Sequence, residues 1–121
     1  MAKTYMIVLS NPVDDAEDEA FNSWYDSAHV PEILALDGVL SASRLRLSDV
    51  QAAGVTPSHR YLAMYELDAS DVQGVLDRMV AARPSMTGTE TLDLPSFRLM
   101  VFEELGRSEA VGTLDRESET H

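Results

Sequence analysis

Phe21-Asn22-Ser23-Trp24-Tyr25-Asp26-Ser27-Ala28-His29-Val30-Pro31-Glu32 is the stretch from which the first half of the fold is read. Phe21, Trp24, Tyr25 and Ala28 recur at helical spacing. Asp14, Asp15, Glu17, Asp18 and Glu19 precede them, where a helix macrodipole favours negative charge. Pro31 disfavours helical geometry at Val30, so the pattern predicts a helix ending near His29. Pro31 can itself open a short second helical segment, Glu32 to Leu36, which Asp37 and Gly38 close as a turn.

Working outward, Thr4 to Leu9 is a strand-length run rich in Tyr, Met, Ile, Val and Leu, apolar on both faces and therefore central. Val39 to Leu47 reads as a second strand, with Val39, Ser41, Ser43, Leu45 and Leu47 on one face and Leu40, Ala42, Arg44 and Arg46 on the other. Ser48 to His59, with Gly54 and Pro57, is a loop. Arg60 to Leu67 alternates Tyr61, Ala63, Tyr65 and Leu67 against Leu62, Met64 and Glu66, a third strand. Ser70 or Asp71 then caps a helix whose apolar stripe is Val72, Val75, Leu76, Met79 and Val80 and which Arg83-Pro84 stops. After the polar stretch Ser85 to Asp93, Leu94 to Leu105 is the fourth strand, with Phe97, Leu99 and Val101 opposite Met100 and Phe102.

Strand, helix, strand, repeated once, is the order of the ferredoxin-like fold: an α+β βαββαβ domain with a four-stranded antiparallel sheet and both helices on one face. Three of the strands carry large apolar groups on both faces, whereas a solvated face alternates to polar residues. The face left open by the helices is therefore expected to pack against a second copy, giving a homodimer through the sheet faces. Residues 1–105 form this domain. Residues 106–121 turn polar and acidic and are expected to be a mobile C-terminal tail.

The chain has 121 residues, 9 Lys and Arg against 21 Asp and Glu, and a formal net charge of −12. That balance argues against nucleic acid or an anionic membrane surface as partner, because phosphate neutralisation needs clustered cations. No apolar run reaches the ~18 residues of a membrane span, and the N-terminus lacks a signal-peptide pattern, so a soluble, cytoplasmic protein is expected. With no cysteine present, disulfides, thiolate metal sites and a cysteine nucleophile are excluded. No phosphate-binding glycine loop, nucleophile elbow or dinucleotide fingerprint is present, and no cofactor is expected.

Histidine and carboxylates must therefore carry any acid-base chemistry. Phe21, Tyr25 and His29 fall on one helical stripe, with Asp26 three residues before His29 and Glu32 three residues after it. Imidazole takes and returns a proton near neutral pH, and either carboxylate could orient it, so His29, Asp26 and Glu32 are the catalytic candidates. The competing role for His29 is structural, a helix-terminal imidazole packed among aromatic rings. Trp24 and Tyr25 are candidates for substrate contact or for core packing, as are Tyr61 and Tyr65, which share a strand face. Asp26, His29 and Glu32 make a poor metal-ligand set, because Pro31 interrupts the helical face and no second histidine is near; no metal site is expected.

Trp24-Tyr25-Asp26, then His29, Pro31 and Glu32, then Leu34-Ala35-Leu36 and Gly38-Val39, together resemble the signature of EthD-like proteins of the dimeric α/β-barrel superfamily. Asp37 departs from the pattern, where proline commonly precedes the glycine. The resemblance implies a pocket between helix and sheet in each subunit, with His29 projecting into it as the acid-base residue. It also covers heme-binding members, which would place a histidine ligand on such a wall. The superfamily spans cofactor-independent monooxygenases, isomerases, polyketide cyclases and dehydratases. The function this implies is a small cofactor-independent isomerase, cyclase or lyase acting on a hydrophobic, aromatic or lactone-like intermediate. The alternatives are a non-catalytic small-molecule-binding accessory protein and a cofactor-free monooxygenase.

Overall fold

A computed structural model describes residues 2–111. His121 and most of the tail expected at 106–121 lie outside the described residues, while residues 106–111 carry neither helix nor strand. The sheet comprises β1 (Thr4–Ser10), β2 (Val39–Arg46), β3 (Tyr61–Leu67) and β4 (Arg98–Glu103) in the order β2-β3-β1-β4. Every neighbouring pair is antiparallel. The helices are α1 (Asp18–Trp24), α2 (Val30–Leu34) and α3 (Val72–Ala82). This is the ferredoxin-like arrangement expected from the element order, with the doubly apolar strands β1 and β3 at its centre. Among the described residues no helix is long and apolar enough to cross a membrane.

One core lies between the helices and one sheet face. Met6 and Val8 from β1 and Tyr61, Ala63, Tyr65 and Leu67 from β3 meet Phe21, Tyr25, Ile33 and Val75 from the helical layer, all buried. The period-two alternation of the two strands makes this possible, because it sends every second side chain to the same face. Tyr5, Ile7, Leu9, Leu62 and Met64 point the other way and are half-buried. Met100 and Phe102 join that outer face and are 39% and 54% exposed.

The helix expected to stop near His29 does not stop. Val30 keeps right-handed helical angles (φ −61°, ψ −48°), and α1 continues through a π-helical turn, Tyr25–His29, directly into α2. Proline breaks helices by lacking an N–H and by clashing with the carbonyl four residues earlier. In the wider turn the Val30 N–H bonds the Tyr25 carbonyl, five residues back. The irregularity sits just ahead of Pro31, where the widened turn lets the hydrogen-bond ladder pass a residue that has no N–H to give. The second segment is therefore Val30–Leu34 rather than Glu32 to Leu36. Asp37-Gly38 does form the turn into β2, with Gly38 at φ +91° and a Cβ there only 2.5 Å from Val75 Cγ2.

Three other expectations need correction. A β-bulge between Val39 and Ser41 inserts Leu40, so Val39 faces the core together with Ala42 and Arg44 rather than opposite them. The fourth strand is shorter than Leu94 to Leu105, because Leu94–Ser96 forms a 3-10 turn before β4. Asp71 precedes α3 but makes no side-chain capping bond; its carboxylate pairs with Arg78 at 2.7 Å.

Candidate functional site

The π-helical turn determines how the candidate site is built. His29 lies stacked on the Trp24 indole, ring centroids 4.6 Å apart and planes 22° from parallel. Tyr25 meets the same imidazole edge-on at 5.1 Å. In a regular α-helix two residues five apart point about 140° away from each other around the axis. The extra residue in the π turn closes that angle and brings Trp24 and His29 to one side. Phe21 extends the aromatic run, 5.2 Å from Tyr25.

His29 and Trp24 form part of the wall of a cavity of about 470 Å³ between the helical layer and the sheet. Met6, Val8 and Tyr65 supply its floor from the central strands, Ile33 and Met79 its helical side, and Met86 to Thr89 with Leu92 and Phe97 the remaining wall. The lining is largely apolar. Burial lowers the pKa of His29 below its ordinary 6.5, an effect that the nearby Glu32 charge partly opposes. The imidazole is thus neutral at neutral pH. Among the described residues neither ring nitrogen has a hydrogen-bond partner, so both the donor and the acceptor of a neutral imidazole are available to a molecule in the cavity.

The two carboxylates expected to orient His29 are engaged elsewhere. Asp26 Oδ1 accepts from Arg44 Nη1 at 2.8 Å. Glu32 accepts from the Thr87 amide with both oxygens, at 3.0 and 3.1 Å, and the Thr87 side chain first, then this amide, holds its pKa below the ordinary value. On the other side of the same residue, Trp24 Nε1 donates to the Thr87 carbonyl at 3.0 Å. Two residues that bracket His29 in sequence therefore grip the backbone of the loop that walls the cavity. Orientation of the imidazole comes from the rings of Trp24 and Tyr25, and Glu32 reaches it only through charge.

The four aromatic candidates separate. Trp24 and Tyr65 line the cavity, and Tyr25 stands behind it, edge-on to two lining rings, Trp24 at 5.0 Å and His29 at 5.1 Å. Tyr61 is not part of its lining. The Tyr61 hydroxyl donates to Asp18 and accepts from Asn22 Nδ2 at 3.0 Å, within a network that also holds Arg60. Tyr65 is 1% exposed, and its hydroxyl is buried without a partner among the described residues. His59, at the end of the Ser48–His59 loop, joins the β2–β3 connection to the Ser96 carbonyl through Nε2 at 2.7 Å. Among the described residues no three histidine or acidic side chains converge in a way that could hold a metal ion.

Arg44 supports the aromatic layer behind the cavity, a place the sequence pattern did not reveal. Its guanidinium lies 4.4 Å from the Tyr25 ring centre and 5.5 Å from that of Tyr61, and it donates to Asp26 and to Asn22 Oδ1. The alternation of β2 put a cation on a face shared with Ala42. Nothing in the spacing showed that aromatic faces and two oxygen acceptors wait there to receive it.

No protein-family model and no curated protein matches this sequence. The fold does have solved likenesses. An ethyl tert-butyl ether D (EthD) family protein from Bacillus halodurans C-125 superposes at a TM-score of 0.59 with 18% identity, over 87% of this chain and 100% of the other. An EthD-like protein from Ralstonia eutropha JMP134 gives 0.54 with 12% identity over 89% and 97%. A protein of unknown function from Nitrosomonas europaea gives 0.50 with 13% identity over 93% and 98%. At these identities the likeness is one of fold, and it covers the whole domain.

Proposed function

We propose that this chain is an EthD-like, cofactor-independent enzyme that acts as a homodimer on a small hydrophobic molecule, transferring a proton through His29. The observation that carries this reading is a neutral imidazole, free of protein hydrogen bonds, held by two aromatic rings on the wall of an apolar cavity. His29 is only half-buried and among the described residues neither ring nitrogen is spent on a protein partner, which leaves both open to proton transfer. Neutral His29 removes a proton from the bound molecule and returns it to another atom. That balance suits an isomerisation or cyclisation, and equally a cleavage in which the returned proton goes to the leaving group. The Glu32 charge favours the imidazolium that exists between the two transfers.

Dimerisation is supported by the outer sheet face, where Met100 and Phe102 stand exposed beside Ile7 and Met64. At ~25 cal/mol for each Å² of apolar surface removed from water, covering this face with a second copy is favourable. The EthD-like assignment is supported by the Trp24-to-Val39 motif together with the fold.

The test is His29→Gln, which keeps a polar side chain of similar reach without a titratable ring. With a converted aromatic ketone or lactone as substrate, turnover is expected to fall about 100-fold or more while fold and assembly persist. Unchanged turnover would contradict the role of His29. Consumption of dissolved oxygen during turnover would move the reaction to oxygenation.

A further inference from the structure

We propose that Arg83 is the cavity's anion-binding group, and that the molecule bound there is an apolar body carrying one carboxylate, which the guanidinium holds at the cavity rim. This rests on the cavity reading given above and names the substrate class for it.

Acidic side chains outnumber basic ones 21 to 9 in this chain, yet among the described residues no aspartate or glutamate lines the cavity, whereas Arg83 and His29 do. Arg44, Arg60, Arg78 and Arg107 each pair with a carboxylate, and Arg98 donates to the carbonyls of Pro95 and Phe97. Arg83 has neither an ion pair nor a side-chain hydrogen bond among the described residues. Lys3 and Arg46 also lack an ion pair there, but neither borders this cavity.

The other polar side chains of the wall are already committed or out of reach. Trp24 Nε1 donates to the Thr87 carbonyl, the Thr87 hydroxyl bonds Glu32, and the Thr89 hydroxyl bonds that of Thr91 at 2.7 Å. The Tyr65 hydroxyl is sealed in the core. Arg83, by contrast, is exposed. It follows α3 directly in the 3-10 turn Arg83–Ser85, which fixes the root of its side chain. An arginine on such a wall lays its carbon stem along apolar surface and keeps its charged head in water, at the rim. A cation at a helix C-terminus also suits the macrodipole, but that role is met on any side of the helix and does not account for a wall without a neutralising acid.

The chemistry of the guanidinium sets that of the ligand. It is planar, always charged, and presents paired N–H groups that match the two oxygens of a carboxylate. A phosphate dianion would call for more donors than one arginine, and the chain has no glycine-rich loop to supply them. With the carboxylate held by Arg83, the apolar body fills the space lined by Met6, Ile33, Met79 and Leu99, on whose wall His29 lies. One charged anchor makes the molecule enter in a single orientation.

Calorimetric titration of wild type and Arg83→Gln at pH about 7, where naphthoate is ionised, compares naphthoate with acetylnaphthalene, a neutral ketone of nearly the same shape. Wild type is expected to bind naphthoate about tenfold more tightly than the ketone, the worth of a charge-assisted pair. Arg83→Gln is expected to bind naphthoate no more tightly than the ketone, with ketone affinity within about twofold of wild type. A naphthoate preference that survives the substitution, an equal loss for both molecules, or a wild type that binds the ketone as well as naphthoate overturns the assignment of Arg83 and leaves His29 untouched. Failure of wild type to bind either molecule overturns the cavity reading and this proposal with it.

Discussion

The imidazole of His29 lies flat against the indole of Trp24, centroids 4.6 Å apart, although the two residues are five apart in one continuous helix. A π-helical turn makes that pairing possible, and such turns recur at functional sites because they re-aim side chains without ending the helix. The same Trp24 reaches the Thr87 carbonyl. Trp24→Ala is expected to cost about 2 kcal/mol of stability by denaturant unfolding, from a lost half-buried ring and one hydrogen bond. His29 in that variant should show broadened, mobile ring resonances. A fixed imidazole without Trp24 would show that the stack does not orient it.

Burial of His29 makes stability depend on pH with a determined sign. The unfolded chain protonates this residue near 6.5 and the folded chain only at lower pH. Between those values the unfolded state holds more protons, so stability rises with pH. The contribution is fully present above about 6.5 and is lost as pH falls through the folded value. Chemical denaturation of wild type and His29→Gln between pH about 7 and about 5 is expected to show a steeper loss for wild type. Parallel curves would contradict the shift. Glu32 and Asp68, whose pKa values are lowered by bonds from Thr87 and Ser70, add their dependence only in the more acidic carboxylate range.

Glu32 holds the cavity loop through two bonds to the Thr87 amide. In Glu32→Ala that amide is expected to exchange its hydrogen about tenfold faster or more, as an amide does when it loses a charged acceptor. Acetylnaphthalene bound in the cavity should also leave it faster. Unchanged exchange at Thr87 would show that the loop is held by Trp24 and packing alone.

Arg44 and Asp26 share an ion pair, yet their substitutions should differ. Arg44 is 16% exposed in its side chain and lies on the Tyr25 ring, while Asp26 is 67% exposed. Arg44→Ala is expected to cost about 2 kcal/mol or more, because it empties a packed site and strands Asn22. Asp26→Ala should cost under ~1 kcal/mol, the scale of an exposed pair. Its turnover should stay within about twofold of wild type, since Asp26 does not bond His29. A large turnover loss in Asp26→Ala would restore it as the orienting carboxylate.

The sequence made the order of the elements legible because period-two and helical spacing are local properties. Thr4 to Ser10 alternates cleanly, and β1 lies where its two apolar faces put it. Pro31 misled for a physical reason: local sterics favour a helix stop, while the aromatic stripe of Phe21 and Tyr25 and the apolar Ile33 favour burial on one continuous rod. A wider turn satisfies both demands. The bulge at Leu40 carries no glycine or proline to mark it, and it exchanged the face of Val39. His29 and Tyr65 were legible as candidates from residue type and face. The engagement of Glu32 and Trp24 with Thr87 was not, because it joins residues 55 and 63 positions apart across a polar stretch with no periodicity.

The outer sheet face offers a direct test of assembly. Phe102→Glu places a charge in the exposed apolar patch of β4 while leaving the core side of the sheet alone. Wild type is expected to sediment as a dimer and Phe102→Glu as a folded monomer. A monomeric wild type at micromolar concentration would contradict assembly through this face.

The central claim is that His29 is a neutral imidazole left available for proton transfer on the cavity wall. The most direct measurement is an NMR titration of its ring nitrogens in the intact protein. The expected result is a midpoint below 6.5 and a neutral ring at pH 7, with both nitrogen shifts responding when acetylnaphthalene is added. A midpoint at or above 6.5, or ring nitrogens indifferent to anything placed in the cavity, would contradict it.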